Sequence, residues 1–205
     1  MGPHSDLYSL FLRKIKIIII FCILLSYGTS VFAKGPNLTG SMKKFQLTPI
    51  TKNSLDETGY FNWKNAKGEV LSLSNFKGRI VLLNFWATWC LPCIKELPSM
   101  ERLQTKFKED DFTIIAISLD RGGKSVAARL LKRLKLNKLT LYIDKENKSA
   151  QELGVKFMPT TFIFDREGRK LGKLQGGIEW DSKNAEALIK YFINNPNYAS
   201  TNKNK

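Results

Sequence analysis

Residues 80–98 of the chain read IVLLNFWATWCLPCIKELP, an apolar run followed by a Cys-x-x-Cys pair and a helical pattern. The run Ile80–Trp86 is apolar apart from Asn84, which predicts a strand buried within a sheet. A strand that delivers two cysteines to the start of a helix is the layout of a thiol–disulfide redox site. The stretch therefore indicates an α/β fold and a redox function centred on Cys90 and Cys93.

The two cysteines are predicted to differ in role. Cys90 stands at the expected helix N-terminus, where unpaired backbone N–H groups and the helix dipole favour a thiolate. A lowered pKa makes Cys90 the attacking nucleophile at neutral pH. Cys93 follows one turn later, in position to attack the resulting mixed disulfide. Pro92 fits this first turn because the N–H that it lacks would have no helical partner there.

The first 33 residues have the pattern of an export signal. Basic residues precede the apolar run Ile17–Leu25, and the segment ends at Val31-Phe32-Ala33 with small residues at the cleavage positions. The uncharged stretch Ile17–Ala33 is also at the lower length limit for crossing a bilayer. We expect a cleaved signal, with a retained membrane anchor as the alternative. Either one predicts a periplasmic or extracytoplasmic location.

Cleavage after Ala33 would leave Cys90 and Cys93 as the remaining cysteines and would remove the single histidine, since Cys22 and His4 both precede it. A zinc site needs further Cys or His ligands, so we expect no metal. An exported protein enters an oxidising compartment in which disulfides persist. The cysteine pair is therefore the expected thiol chemistry of the exported chain.

The chain has a formal net charge of +15. Such a charge can serve docking to acidic partners or to an anionic membrane face. The alternative is a lysine-rich composition spread over a solvated surface. The lysines are scattered along the sequence rather than grouped, and this favours the second interpretation.

Three segments surround or make up the predicted domain. Residues 34–56 are polar with Gly, Pro and Ser and are expected to be a linker, whereas residues 195–205 are rich in Asn and Lys and are expected to be a flexible tail. Residues 57–194 alternate between strand and helix patterns and predict a mixed sheet with helices on both faces. The predicted elements are a hairpin of Tyr60–Trp63 and Glu69–Leu73, strands at Ile80–Trp86, Phe112–Leu119, Leu139–Ile143, Thr160–Asp165 and Lys170–Gln175, and helices at Leu91–Lys108, Lys124–Leu136, Lys148–Leu153 and from Asp181 or Ser182 to Ile193.

Two prolines extend the pattern around the cysteines. Pro98 lies inside the helical periodicity after Cys93, where it is expected to kink the helix, and Pro159 directly precedes a predicted strand. Together with the Trp-Cys-x-x-Cys motif that begins at Trp89, these prolines resemble the thioredoxin superfamily. The resemblance implies a thioredoxin fold with a cis Pro159 beside the cysteines. It also implies that the backbone of Met158 is free to pair with a substrate strand.

A narrower resemblance covers about residues 56–194. The segments 85–98 and 158–168, together with the N-terminal signal, resemble the TlpA/ResA-like, DsbE-related branch of exported thiol–disulfide oxidoreductases. This branch implies an N-terminal β-hairpin and a central helix–strand insertion, which fits the long interval between Asp120 and Asp144. One departure from thioredoxin itself is Asn84, which occupies the position of a buried aspartate and cannot take a proton.

The resemblance also assigns a role to Glu96. The branch has a functional glutamate three residues after the second cysteine, and Glu96 stands there, on the same helix face as Cys93. Burial would raise the pKa of its carboxyl and let it carry the proton that activates Cys93. The alternative is an exposed surface glutamate. The expected substrate-binding residues are Trp89, Leu91, Pro92, Met158, Pro159 and Thr160.

The function implied by the resemblance is a periplasmic reductase of exported protein cysteines, for example in cytochrome c maturation or cytochrome oxidase assembly. It implies a membrane thiol reductase of the DsbD/CcdA type as electron source. We expect no cofactor, no nucleic acid partner and a monomer.

Three other functions are alternatives to the periplasmic reductase. A Dsb-type oxidase or isomerase is disfavoured because Leu91-Pro92 separates the cysteines, rather than the Pro-His of strong oxidants. Peroxide reduction by a peroxiredoxin-like relative needs a Thr three residues before the attacking cysteine, where Ala87 stands. A copper chaperone usually needs His or Met ligands near the cysteines. This function is disfavoured because cleavage after Ala33 would remove the single histidine.

Overall fold

The apolar run of residues 80–86 forms a central strand of an eight-stranded sheet. The computed structural model describes residue 36 and residues 45–47, 61–109 and 111–198. These residues all belong to one compact unit, Gly35–Lys205. The predicted signal or anchor lies outside the described residues, as does most of the predicted linker. No helix within the described ranges is long and apolar enough to span a bilayer.

The elements alternate between strand and helix as the sequence predicts. The strands are β1 (Gln46–Leu47), β2 (Trp63–Asn65), β3 (Val70–Leu71), β4 (Ile80–Trp86), β5 (Phe112–Ser118), β6 (Leu141–Ile143), β7 (Thr160–Phe164) and β8 (Lys170–Gln175). The helices are α1 (Leu91–Gln104), α2 (Lys124–Arg133), α3 (Lys148–Glu152) and α4 (Lys183–Asn194), and a 3₁₀ turn covers Leu73–Phe76. Ser182 caps α4, because its side chain accepts a hydrogen bond from the backbone N–H of Ala185.

The sheet is mixed, with the strand order β1-β8-β7-β4-β5-β6-β2-β3. β4 pairs in parallel with β5 and antiparallel with β7, so its backbone is hydrogen-bonded on both sides. The register places Phe85 opposite Thr160. The end of β4, from which the chain runs to Cys90, therefore lies beside the start of β7.

Alternate residues of β4 enter two separate cores, since successive side chains of a strand point to opposite faces. Ile80, Leu82 and Trp86 pack with apolar residues of α1, α2 and α4, whereas Val81, Leu83 and Phe85 pack with the 3₁₀ turn, the β2–β3 hairpin region and α3. Helices thus cover both faces, as predicted.

The N-terminal hairpin and the central insertion are also present. β2 pairs antiparallel with β3 and with β6, and the insertion consists of α2 and β6. β6 continues the parallel arrangement begun by β4 and β5. Both features agree with the predicted architecture.

Helix α1 is shorter than predicted. It continues through Pro98 but ends at Gln104 rather than Lys108. The hydroxyl of Thr105 donates to the carbonyl of Arg102, which satisfies one of the free carbonyls of the last turn. The apolar Phe107 that suggested a longer helix instead stacks edge-on against Phe112, with ring centroids 5.3 Å apart.

Two segments outside the predicted domain contain ordered packing. Within the predicted linker, Gln46–Leu47 pair with β8, and Phe45 is buried against Phe192 of α4. A side chain at Gly172 would collide with the Phe45 ring and the Gln46 carbonyl, so this glycine makes the pairing possible. Within the predicted tail, Tyr198 is buried and packs on the same Phe192. The packed domain thus extends beyond residues 57–194 at both ends.

Candidate active site

The two cysteines form a disulfide at the start of α1. Cys90 is the N-cap residue and Cys93 lies in the first turn, with an S–S distance of 2.03 Å and Cα atoms 5.3 Å apart. Cys93 is fully buried, whereas Cys90 keeps a 6% exposed fraction. Cys90 is thus the more accessible of the two cysteines, and their roles as attacking and resolving cysteine stay predictions.

The turn that leads into Cys90 is held by Asp120, which follows the end of β5. The Asp120 carboxylate accepts hydrogen bonds from the backbone N–H of Thr88 at 3.0 Å and from the Thr88 hydroxyl at 2.6 Å. It also accepts one from the Ser118 hydroxyl at 2.8 Å. The sequence analysis missed this residue as a site component, although a carboxylate directly after a buried parallel strand is a signal that could have revealed it.

Glu96 is buried, with only 2% of its surface exposed. Burial raises the pKa of its carboxyl to about 7, and hydrogen bonds from Asn84, Ile178 and Trp180 oppose this rise only in part. No cation is among these partners, since each is an amide, a backbone N–H or an indole N–H. The predicted burial of Glu96 on the cysteine-bearing helix is confirmed.

Two of the donors to Glu96 come from the loop after β8. The backbone N–H of Ile178 and the indole N–H of Trp180 both reach Oε2 at 3.3 Å. The same loop packs on α1, because the Trp180 backbone N–H bonds to the Ser99 hydroxyl at 2.9 Å. The loop also approaches the first turn of α1 closely at Gly177, where a Cβ would lie only 3.1 Å from the Pro92 carbonyl oxygen. The sequence analysis missed Ile178 and Trp180, which carry no local motif.

The third donor to Glu96 is Asn84 of β4. Its amide nitrogen lies 2.8 Å from Glu96 Oε1 and 2.9 Å from the Thr161 hydroxyl. The Asn84 amide oxygen is buried and has no hydrogen-bond partner among the described residues. The strand position occupied by an aspartate in thioredoxin is thus used here to hold the Glu96 carboxyl.

Residues 158 and 159 directly precede β7, whose first residue lies opposite Phe85 near the end of β4. The Met158–Pro159 bond is cis, which confirms the prediction. The Pro159 carbonyl accepts from the backbone N–H of Gly176, whereas the backbone of Met158 has no hydrogen bond to a described residue. The main chain at Met158 is therefore available to an extended peptide.

Thr160 does not fit its predicted role in substrate binding. It is buried with 1% exposure, and its hydroxyl donates to the Phe157 carbonyl at 2.7 Å. The side chain therefore fixes the turn before β7 rather than facing a substrate. Its first position in β7, opposite Phe85, explains this burial.

Exposed apolar residues next to Cys90 and Cys93 in the chain form an apolar rim. Trp89 and Leu91 have exposed fractions of 72% and 62%, and Pro92 is exposed as well. Phe157, which the sequence analysis did not single out, is 66% exposed. Trp89 and Met158 also line a mainly apolar cavity of about 730 Å³. Neither cysteine lines it, and it is named here the redox groove because Trp89 directly precedes Cys90. The predicted residues Trp89, Leu91 and Pro92 are thus exposed, and Met158 lines the redox groove, whereas Pro159 is buried.

No cluster of three or more His, Cys, Asp or Glu side chains that could hold a metal ion occurs in the part of the chain that the structure describes. The site combines the disulfide, the buried Glu96 carboxyl with its neutral donors, and the Asp120 carboxylate that holds the turn before Cys90. The arrangement can exchange a disulfide and accept or release a proton beside it.

A protein-family model and several known proteins match most of the domain. The model of the AhpC/TSA family matches residues 56–169. Thiol-disulfide oxidoreductase ResA of Bacillus thuringiensis subsp. konkukian is 38% identical over 110 residues, which are 54% of this chain and 62% of that protein. The chain thus matches less than two thirds of the length of this relative. ResA of Halalkalibacterium halodurans is 32% identical over 133 residues, which are 65% of this chain and 71% of that protein.

Solved structures agree with the observed architecture. A Chlorobium tepidum protein assigned as a thiol:disulfide interchange protein DsbE is 31% identical, with a TM-score of 0.62 over 72% of this chain and 99% of that one. StoA of Bacillus subtilis is 26% identical, with a TM-score of 0.52 over 64% of this chain and 94% of that one. The sheet described above is therefore that of a thioredoxin fold.

Proposed function

The chain belongs to the AhpC/TSA family, as a TlpA/ResA-like member of the thioredoxin superfamily, and we propose that it is a thiol–disulfide oxidoreductase that acts mainly as a protein-disulfide reductase. The observation that carries this proposal is the Cys90–Cys93 disulfide at the start of α1, with a buried carboxyl on the same helix. The relatives that are named thiol-disulfide oxidoreductases support it.

The proposed reaction consumes the dithiol form of the pair. The Cys90 thiolate attacks one sulfur of a client disulfide, so that a mixed disulfide forms and the other client sulfur leaves as a thiolate that takes up a proton. The Cys93 thiol then loses its proton and attacks Cys90, which releases the second client thiol. Two electrons pass to the client, and the chain is left in the disulfide form seen here.

Glu96 is the proposed proton acceptor for Cys93. Its carboxyl, with a pKa raised to about 7, is present in both protonation states near neutral pH, as a proton carrier requires. Replacement by Gln keeps the shape and one acceptor oxygen but removes the titration, and its NH2 group replaces the other acceptor oxygen. We expect E96Q to slow exchange about tenfold or more near pH 7 and to flatten the pH–rate profile, as stopped-flow kinetics would measure. An unchanged profile would reduce Glu96 to a structural residue.

The proposed client lies across the redox groove as an extended segment. The free backbone of Met158 can pair with it as an added strand, and the exposed rings of Trp89 and Phe157 supply apolar contact. Because main-chain pairing is independent of side chains, this mode admits more than one client. Leu91 and Pro92 complete the rim on the helix side.

We also propose an extracytoplasmic site of action. The export-signal pattern of residues 1–33 supports it, and so do the relatives named ResA and DsbE. In that setting the clients would be exported polypeptides such as apocytochrome c or oxidase assembly factors. A membrane thiol reductase of the DsbD/CcdA type would return Cys90 and Cys93 to the dithiol. Mass spectrometry of the native N-terminus would distinguish a cleaved signal from an anchor.

Trapping of mixed disulfides tests the reaction and finds the clients. We expect C93S to accumulate Cys90-linked partners in cells, because the resolving thiol is missing, whereas C90S should trap none and should have no activity. The direction of exchange is tested by two assays. One measures how fast the chain reduces insulin with dithiothreitol as the electron donor, and the other measures oxidative refolding of a reduced substrate. Efficient oxidation with poor insulin reduction would favour the Dsb-type oxidase or isomerase instead.

Peroxide reduction is a second candidate, favoured by the match to the AhpC/TSA family. Against it, Ala87 stands where a peroxidase would need a threonine three residues before Cys90. The neighbouring Thr88 is held by Asp120 through its hydroxyl and cannot replace it without breaking that contact. We expect no peroxide consumption above that of free thiols in an assay with hydrogen peroxide and a thiol reductant. Rapid turnover would reverse this order of preference.

A further inference from the structure

A second cavity, of about 760 Å³, adjoins the redox groove, and it is named here the basic cavity. It lies among the β2–β3 hairpin, the end of β6 and the start of α2. Basic residues outnumber acidic residues in its lining by six to two. The basic ones are Lys64, Lys67, Arg121, Lys124, Lys145 and Lys148. Although lysines are scattered in the sequence, the fold gathers these six from three separate segments.

The two acidic residues of the lining are already engaged. The Asp144 carboxylate accepts from the backbone N–H groups of Lys148 and Ser149 at the start of α3. Glu146 forms an ion pair with Lys148 at 3.0 Å. The five other basic side chains make no ion pair with a described carboxylate. The basic cavity therefore has a positive charge that the described residues do not neutralise.

Trp63 adds an unused hydrogen-bond donor to this wall. It lines the basic cavity, it is 2% exposed, and its indole N–H has no acceptor among the described residues. A buried donor without a partner has a free-energy cost unless water or a bound group accepts from it. The indole nitrogen has almost no accessible surface, so the charge of the lining, rather than this donor, is what would attract a bound polypeptide.

The basic cavity adjoins the redox groove. Arg121 and Gly122 line both, on the loop between β5 and α2. In the redox groove the exposed charged residues are Arg121 and Lys156, both basic, because the Asp120 carboxylate is buried in its bonds to Thr88 and Ser118. A polypeptide that lies in the redox groove and passes Arg121 thus reaches the basic cavity.

We propose that the basic cavity docks an acidic segment of the same client whose disulfide is reduced at Cys90. This inference rests on the proposed reductase function and adds a substrate class to it: exported polypeptides that carry a cluster of Asp or Glu residues near their reactive cysteines. Charges at the rim of an interface chiefly increase the association rate and its dependence on salt. The basic cavity therefore selects clients through encounter rather than through the chemical step.

The test compares two synthetic disulfide peptides that differ only in a short flanking stretch, acidic in one and made of Asn and Gln in the other. We expect the full chain to reduce the acidic peptide about tenfold faster in kcat/KM at low salt, with the difference lost at high salt. The triple variant K64Q/K67Q/K124Q should remove this preference and leave reduction of the neutral peptide unchanged. These three lysines make no ion pair with a described carboxylate, so their replacement breaks no such contact.

A charge-matched control separates the basic cavity from net charge. The variant K170Q/K183Q/K190Q loses the same charge from β8 and α4, outside the lining of the basic cavity. It should keep the preference for the acidic peptide. Equal loss of preference in both triple variants, or none in K64Q/K67Q/K124Q, would overturn the proposal.

Fluorescence anisotropy of a labelled acidic peptide without cysteine measures binding to the basic cavity independently of catalysis. If neither disulfide peptide is reduced, the reductase function fails, while tight binding that K64Q/K67Q/K124Q alone weakens would keep the docking site. Co-sedimentation with vesicles of anionic phospholipid tests the competing occupant. Loss of vesicle binding in K64Q/K67Q/K124Q, without any preference for the acidic peptide, would assign the basic cavity to a membrane and overturn the proposal.

Discussion

Glu96 and Asp165 are both buried carboxyl groups, but their partners differ in charge. Asp165, in the turn between β7 and β8, accepts from the Arg169 guanidinium at 2.5 Å and from the Arg169 backbone N–H at 2.8 Å. Glu96 has only neutral donors. Burial raises the pKa of both groups, and for Asp165 the Arg169 cation opposes the rise. The comparison separates a carboxylate that holds a turn from a carboxyl that can change protonation near neutral pH.

Removal of the cation beside Asp165 should have the largest effect on stability. We expect R169M to lower the free energy of unfolding by about 3–5 kcal/mol at pH 7, since one partner of a buried pair is left without its counter-charge. Urea denaturation would measure it. The matched control is E167Q, which removes an exposed partner of Arg169 and should cost no more than about 0.5 kcal/mol. A loss below about 1 kcal/mol in R169M would mean that Asp165 does not depend on its cation.

Glu96 should instead make stability depend on pH in the oxidised protein. Its pKa is higher in the folded chain than its ordinary value of 4.5, so the folded state binds the proton more tightly than the unfolded state does. The resulting stability is fully present below pH 4.5 and is lost as the pH rises to about 7, with a total of about 3 kcal/mol. The variant E96Q should lack this component, as urea denaturation across pH 4 to 8 would reveal. Parallel pH curves for wild type and E96Q would contradict the raised pKa.

The cysteine site could be predicted from the sequence because the residues that indicate it are close together in the chain. The apolar run of β4, the helix start at Cys90 and the face that carries Glu96 all follow from residues 80–98. The cis bond before Pro159 and its position beside the cysteines came from the family resemblance, not from spacing. From these features we predicted the fold class and the position of the Glu96 carboxyl on the cysteine-bearing helix.

The remaining parts of the site depend on contacts between distant segments. Ile178 and Trp180 reach Glu96 from more than eighty residues away along the chain, and their surroundings contain no motif. Strand β1 has two residues, too few for any periodicity. The basic cavity is of the same kind, since scattered lysines become neighbours only once the hairpin, β6 and α2 are packed.

Asn84 provides the finest test of the difference between Glu96 and Asp165. Its amide donates to the Glu96 carboxylate, and this bond lowers the pKa of Glu96 against the effect of burial. We expect N84L, of similar volume, to raise that pKa by about half to one pH unit, which corresponds to the loss of about 1 kcal/mol from one hydrogen bond. The midpoint of the pH–rate profile for disulfide exchange would report the shift.

Thr161 supplies the matched control, because its hydroxyl bonds to the same Asn84 amide but makes no described bond to Glu96. We expect T161V to cost about 1 kcal/mol of unfolding free energy while leaving the midpoint of the pH–rate profile in place. If T161V moved the midpoint as far as N84L, the position of the Asn84 amide, rather than its bond to the carboxylate, would set the pKa of Glu96. An unmoved midpoint in both variants would leave burial as the sole cause, and the neutral donors would then matter for geometry alone.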